Sequence, residues 1–258
     1  MSILLDVLKK PKILQPKKHI LLLSHMRAYT SLFGHILGNH SQIDGYYEMH
    51  IGYYSWKSLI RQKSLYYKDH KISPCSTYIF DKILHNEHYV SPQLLTRNNV
   101  IPLFSIREPS ETIPSIVALY NKVNPKHDFC NIEFAAEYYT NRLKYLVDLS
   151  IKIKKQYYYI DADCVVGNTE DSLKELSKIL GLSTTLQPQY KKMPKTGVGA
   201  TGDHSTELLS GTIQKKKKQN KLILPQNLLI KLETLYSESR ALLISNSQSI
   251  ILSNSNEN

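Results

Sequence analysis

Two stretches of the chain set basic and hydroxyl side chains at spacings suited to holding an anion. The first is Ser24-His25-Met26-Arg27-Ala28-Tyr29-Thr30-Ser31, which follows the apolar run Ile20-Leu21-Leu22-Leu23 and leads into the helix-like Ser31–Leu37. Amides at a helix N-terminus point at whatever lies in front of them, and the helix dipole favours negative charge there. Arg27 adds a planar donor fork, and Thr30 and Ser31 add hydroxyl donors. This is the chemistry of a phosphate or sulfate cradle. It is not a nucleoside-triphosphate loop, because the glycine spacing and the lysine of GxxxxGK[ST] are absent. The plain alternative is a strand-to-helix turn with an exposed arginine.

The second stretch is Arg107 to Ser115. Arg107 directly follows the strand-like Val100–Ile106, and Ser115 lies eight residues on. A helix starting near Ser110-Glu111-Thr112, with a capping hydroxyl and an acid in its first turn, brings Ser115 back toward the strand end. Arginine and hydroxyl beside a helix N-terminus make a second anion site. The alternative is Arg107 paired with Glu108 or Glu111 and a serine facing solvent.

The elements that must position these turns are readable in outline. Ile20–Leu23 is a run without alternation, as in a strand buried on both faces. Thr77–Phe80, Val100–Ile106 and Tyr157–Ile160 read as further strands, with Pro102 expected near a strand start or a bulge because it lacks an amide donor. Helices are predicted over 31–37, 110–121, 132–153, 170–180 (ended by Gly181) and 226–244. Tyr46 to Tyr67 has no clear local reading. Residues 190–214, rich in Gly, Thr and Lys, read as a loop, Lys215–Lys218 as a solvated charge run, and Ser253–Asn258 as a frayed tail. Alternating strands and helices predict an α/β fold of three layers, a central mostly parallel sheet flanked by helices. Ligands in such folds bind outside the carboxyl ends of the strands, which is where both anion turns fall.

The length of 258 residues suits one domain over 1–258, with its core at about 19–246. No apolar run approaches the roughly 18 residues of a membrane span, so no integral membrane segment is expected. Met1–Lys18 reads as a short leader to the first strand, since an export signal would carry its charges first. Cys75, Cys130 and Cys164 are scattered and odd in number. They predict free thiols in a reducing, cytoplasmic setting, not a disulfide framework or zinc site. His85 and His88 are a loose pair with no further ligand at zinc spacing. The formal charge of +11 attracts an anionic partner without saying which.

Taken together, the two turns resemble the sulfotransferase family that uses 3′-phosphoadenosine-5′-phosphosulfate. Arg27, Thr30 and Ser31 match its first signature, a basic residue with hydroxyls three and four positions later. Arg107 and Ser115 match its second, and Leu103-Phe104-Ser105-Ile106-Arg107-Glu108-Pro109 reads like it throughout. Thr196-Gly197-Val198-Gly199-Ala200-Thr201-Gly202-Asp203-His204-Ser205 resembles the glycine-rich loop that closes over the nucleotide, with Lys192 and Lys195 just before it. Tyr159–Asp163 resembles the family's late core strand. The resemblance covers about residues 19–214. Tyr29 stands where the family often has glycine, and His204 where small-molecule enzymes have an aromatic residue. Both point to a bacterial or carbohydrate-sulfotransferase-like branch.

The resemblance implies a nucleotide donor held by Ser24, His25, Arg27, Ala28, Tyr29, Thr30 and Ser31 at its 5′-phosphosulfate. It implies Arg107 and Ser115 at the 3′-phosphate, and Thr196, Gly199, Thr201, Gly202 and Asp203 in the closing loop. Arg27 would neutralise the leaving group. Glu48 is the first choice for general base and His50 the second, with Lys82 facing the acceptor. No metal is expected, since side chains supply the positive charge. The acceptor is expected to be a hydroxyl on a carbohydrate, anionic glycans included, and nucleic acid is not expected as a partner. Two rivals stay open. A basic nucleic-acid-binding protein fits the charge and the 18 tyrosines. A P-loop-like kinase would need carboxylates for magnesium, for which Asp161 and Asp163 are the candidates.

Overall fold

The computed structural model describes residue 8 and residues 10–196, 206–213 and 222–252. Its centre is a six-stranded sheet: β1 (Lys18–Leu23), β2 (Ile43–Asp44), β3 (Tyr78–Ile83), β4 (Val100–Phe104), β5 (Tyr158–Ile160) and β6 (Ser249–Ile251). The spatial order is β2-β3-β1-β4-β5-β6 and every pairing is parallel. β1 pairs on both sides along its length, and Ile20, Leu21, Leu22 and Leu23 are all within 1% of complete burial. Period-2 alternation then divides the core. Leu21 and Leu23 join one apolar cluster; Ile20 and Leu22 join the other.

Helices cover each face. The helices are α1 (Thr30–Gly38), α2 (Trp56–Asp69), α3 (Pro92–Leu95), α4 (Pro109–Val123), α5 (Ile132–Lys152), α6 (Cys164–Gly167), α7 (Thr169–Leu180), α8 (Thr206–Leu209) and α9 (Gln226–Asn246). Phe33, Ile36 and Leu37 of α1 pack with Leu173, Leu176 and Leu180 of α7 beneath one face. Ile113 and Ile116 of α4, Leu143 and Leu146 of α5 and Leu232 and Leu243 of α9 cover the other. This is the three-layer α/β arrangement that the alternation of elements implies. None of the described helices is long and apolar enough to cross a membrane.

Three elements depart from expectation. α2 occupies the tyrosine-rich stretch that showed no pattern. Its buried face includes Ser58, Gln62, Lys63 and Ser64, with Gln62 bonded to His19 and Lys63 donating to the carbonyl of Gln15, so no apolar stripe marks it. β2 and β6 are too short to show a period, and β6 lies beyond residue 246, where the core was expected to end. Pro102 sits in the middle of β4, neither at a start nor at a bulge. Ser105 donates from its amide to Leu23 of β1, so alternate amides, that of Phe104 included, face β5, and so does the Pro102 nitrogen. β5 begins pairing only at Leu103, and the missing donor therefore costs no ladder bond.

Two glycines set the path of the segment after β2. A Cβ on Gly34 of α1 would lie 2.3 Å from the carbonyl oxygen of Tyr46, and one on Gly45 would lie 2.3 Å from that of Phe80. Gly45 also has φ +93°, where a side chain is strained. The chain from Gly45 to His50, which carries Glu48, is thus pressed against α1 and β3.

Candidate active site

The strand order reverses between β1 and β4. From β1 the chain builds outward to β3 and β2, then crosses to β4, β5 and β6. Such a switch point opens a crevice at the carboxyl ends of the strands. Ser24–Tyr29 follows β1 and leads into α1, and Arg107 follows β4 and leads into α4. Both predicted anion turns therefore flank one crevice.

Direct bonds join them. Arg27 Nε donates to Ser115 Oγ at 2.9 Å, and Arg107 Nη1 donates to the carbonyl of Arg27 at 3.3 Å. His25 locks the pair from below. Its Nδ1 lies 2.9 Å from the Met26 carbonyl and its Nε2 2.9 Å from the Arg107 amide. A carbonyl only accepts and an amide only donates, so the proton is on Nδ1 and the ring is neutral. Complete burial pushes its pKa down to about 4, which keeps it neutral. The His25 side chain is thus a clamp between the turns, facing inward. Ser24 is also fully buried, and its Oγ has no hydrogen-bond partner.

The first turn stores strain. Arg27 and Tyr29 have φ of +64° and +54°, a left-handed conformation that costs non-glycine residues of order 1 kcal/mol or more each. Tyr29, in the position where glycine was noted as common, is held by Arg107. The guanidinium lies 4.2 Å from the ring centre, and Nη2 donates to the phenol oxygen at 2.8 Å. Burial raises the Tyr29 pKa, against the pull of Arg107, so the phenol stays protonated.

Arg107 is itself 5% exposed and also donates to Asp163 Oδ1 at 3.2 Å and Glu111 Oε2 at 3.3 Å. Its side-chain partners include Glu111, one of the two acids named for it from sequence, and Asp163, which was not. Asp163 follows β5, so the contact could not be read from spacing. Asp161 takes both Nε and Nη2 of Arg240, at 2.9 and 2.6 Å. The two carboxylates offered for magnesium are therefore engaged by arginines, which removes the observation that favoured a kinase.

Thr30 is buried at the start of α1. Ser31 Oγ accepts from Lys82 Nζ at 3.0 Å. Lys82 lies in β3 beside β1 and is 5% exposed, so its ammonium reaches the first anion turn. Thr196 is tied to α1. His35 Nδ1 donates to the Ser31 carbonyl at 2.7 Å, and its Nε2 hydrogen-bonds Thr196 Oγ1 at 2.7 Å. Lys195 pairs with Asp69 at 2.6 Å and lies 4.7 Å from the Tyr47 ring centre. Gly199, Thr201, Gly202 and Asp203, and the run Lys215–Lys218, lie outside the described residues.

Glu48 stands on the segment after β2. It is 6% exposed, and its Oε1 has no hydrogen-bond partner. His50, whose φ is +52°, brings Nδ1 to 3.8 Å from that oxygen. Its position is fixed by Asp81 of β3, which sequence reasoning missed. Asp81 Oδ1 accepts from the amides of Met49 at 3.0 Å and Lys82 at 2.8 Å, and Oδ2 accepts from Tyr53 at 2.5 Å. Burial pushes the Asp81 pKa up to about 7, with the Glu48 charge adding to it and the donors opposing. Tyr138 of α5 connects the first turn to the chain just after β3. Its phenol accepts from the Met26 amide at 2.8 Å and donates to the Leu84 carbonyl at 2.9 Å. Burial, and more weakly the Glu48 charge, raise its pKa. Arg142, wholly buried, donates to the carbonyls of Ser24 and Ile83 and to Asn86, pinning the ends of β1 and β3. A lone Asp, Tyr or Arg inside a strand or helix carries no motif, which is why these three went unnoticed.

The arrangement brings Arg27, Arg107 and Lys82 to the two turns, and Asp81 ties the backbone of the Glu48 segment to that of Lys82. No family profile matches the sequence, and no curated protein matches it. Among solved structures the chain is similar to a sulfotransferase domain from the curacin biosynthetic pathway, with a TM-score of 0.54 at 14% identity. The likeness covers 88% of this chain and 96% of that one. The two share the fold.

Proposed function

We propose that this protein is a sulfotransferase that moves a sulfuryl group from 3′-phosphoadenosine-5′-phosphosulfate to an acceptor hydroxyl. The observation that carries the proposal is the Arg27–Ser115 bond at 2.9 Å. It makes one continuous patch at the switch point out of the two turns that a donor with separated 5′ and 3′ anionic groups requires. The fold shared with a sulfotransferase domain supports the same reading.

The residues fit such a donor. Arg27, Arg107 and Lys82 supply three cations, Ser24 Oγ is a buried hydroxyl without a partner, and the Arg107 guanidinium would exchange its bonds to Asp163 and Glu111 for the phosphate. The donor supplies an activated sulfuryl group; the chain's work is positioning and neutralisation. Arg107 and Ser115 hold the 3′-phosphate. Arg27 turns from Ser115 to the leaving-group oxygens, joined by Lys82 through its contact with Ser31. Thr30, Ser31 and the turn amides hold the 5′-phosphate, and Thr196 with Gly199, Thr201, Gly202 and Asp203 closes over the nucleotide. His25 contributes through the backbone it fixes, and Ser24 through its unpartnered hydroxyl. Glu48 accepts the acceptor's hydroxyl proton, with His50 as the alternative base. The transfer itself needs no metal.

A carbohydrate hydroxyl is the acceptor class we favour, on the position of Glu48 after the first helix and the charge of +11, which suits an anionic glycan. We take residues 1–258 to act as one such domain. The three cysteines are free thiols, which supports a cytoplasmic setting. Incubation with radiolabelled donor and a panel of oligosaccharides, phenols and lipids tests the reaction. Label transferred to an oligosaccharide supports both parts, label on another class corrects the acceptor, and an intact donor across the panel with no binding of it overturns the proposal.

A further inference from the structure

His50 and His88 come from loops 38 residues apart in sequence, yet their rings lie 5.7 Å apart. Glu48 Oε1 is at 3.8 Å from His50 Nδ1. One ligand atom from each of Glu48, His50 and His88 lies within 4.8 Å of the other two. His88 thus has the further ligands that its sequence neighbourhood lacks. Zinc-type ions take imidazole nitrogen and carboxylate oxygen at about 2.0–2.2 Å, which sets ligand atoms roughly 3.3 Å apart around a tetrahedron. Each donor here would close by about 1 Å or less to reach that geometry.

The independent sign of a ligand is the carboxylate itself. Glu48 Oε1 is inaccessible, its side chain is 8% exposed, and nothing hydrogen-bonds it. A buried acceptor left unmade is costly, and it faces the His50 imidazole. His50 is held in the left-handed region at φ +52°, the type of strain that accompanies ligand clamps. The Asp81 bond to the Met49 amide maintains it. The buried cation nearby, Arg142, directs its hydrogen bonds at Ser24, Asn86 and Ile83. His85 stacks edge-on to His88 at 6.4 Å and bounds the cluster on its far side.

We propose that Glu48, His50 and His88 bind a divalent transition-metal ion of the zinc type, and that the bound ion silences the enzyme by occupying the Glu48 carboxylate. Three protein ligands leave a coordination position open, as in exchangeable sites and unlike closed structural ones. The ion would enter from the half-exposed His50 side, where the side chain is 42% accessible. The silencing half rests on Glu48 being the base of the proposed transfer; the binding half does not.

The test is titration of the metal-free full chain with zinc by calorimetry and with cobalt(II) by visible absorption. Titration with 3′-phosphoadenosine-5′-phosphate runs in parallel. The expected result is one ion per chain, a cobalt band in the visible, and affinity at least about 10-fold weaker in His88→Gln and in Glu48→Gln. Zinc is expected to abolish labelled sulfate transfer at the concentration that fills the site. Absence of binding at micromolar zinc, or binding unchanged in both folded variants, would overturn the site. Stoichiometric binding with undiminished transfer would overturn the silencing. Ion binding without any binding of the bisphosphate would leave the metal site standing and remove the sulfotransferase reading instead.

Discussion

Replacing Arg107 by lysine keeps the charge and removes the fork. In the free protein the guanidinium donates to Asp163, Glu111, Tyr29 and the Arg27 carbonyl; an ammonium on a shorter stem reaches only some of them. Against a phosphate, two parallel charge-assisted bonds become one. A hydrogen bond to a charged group is worth about 1.5–3 kcal/mol, so the bisphosphate should bind about 10- to 150-fold more weakly. AMP lacks the 3′-phosphate and should lose little. Arg107→Lys is therefore expected to collapse the preference for 3′-phosphoadenosine-5′-phosphate over AMP, measured by calorimetry on both ligands. Folding is checked by circular dichroism, because the Tyr29 turn loses its stacking partner. A folded variant that retains the full preference would refute the assignment of Arg107 to the 3′-phosphate.

Four further outcomes are expected. Glu48→Gln should lower transfer by about 10²- to 10⁴-fold while bisphosphate affinity in calorimetry stays within a factor of about two. Ser115→Ala removes the Arg27 bond; it should cost about 1 kcal/mol, a fall of roughly 2–4 °C in Tm, and weaken the bisphosphate about 10-fold. Arg240→Met takes the paired guanidinium away from Asp161, which is 3% exposed and keeps the Tyr159 hydroxyl; a loss of up to about 3 kcal/mol should appear in urea unfolding with bisphosphate affinity intact. Asp81 gives a pH dependence. Its pKa is about 7 in the folded chain against 3.8 for the free group, so the folded state holds the proton more tightly. Its stabilising contribution is complete below about pH 4 and is lost as pH rises through 7. His19 and His25, both pushed down to about 4 by burial, act in the opposite sense, with stability rising from about pH 4 to 6.5. The urea midpoint of wild type minus that of Asp81→Asn isolates the carboxyl and should fall as pH rises across that window.

The parts of this fold that were legible in the sequence are those where one residue type repeats or one short segment carries the chemistry. Ile20–Leu23 reads as a doubly buried strand because it has no polar position to alternate with. The turns after it and after Phe104 read as anion sites because arginine, serine and threonine there serve no packing pattern. What escaped was set by contacts between distant segments. α2 hides its burial in polar side chains that find partners on β1 and the N-terminal segment. Asp163 reaches Arg107 across 56 residues, and Tyr138 reaches Met26 across 112. Lys82 carries no motif of its own, and only the β1–β3 register shows that it meets Ser31. The metal-ligand geometry of His88 was hidden for the same reason, its partners being 38 and 40 residues earlier.

Thermal unfolding with 3′-phosphoadenosine-5′-phosphate, set against AMP and ATP, tests the central claim most directly. A ligand that binds only the folded state at 100 times its dissociation constant adds about 2.7 kcal/mol, or roughly 5–11 °C for a chain of this size. The expected result is a rise of that order with the bisphosphate, little with AMP or ATP, and none in Arg107→Ala. An unchanged Tm at millimolar bisphosphate, or equal shifts with all three nucleotides, would contradict the claim that these two turns hold a sulfuryl donor.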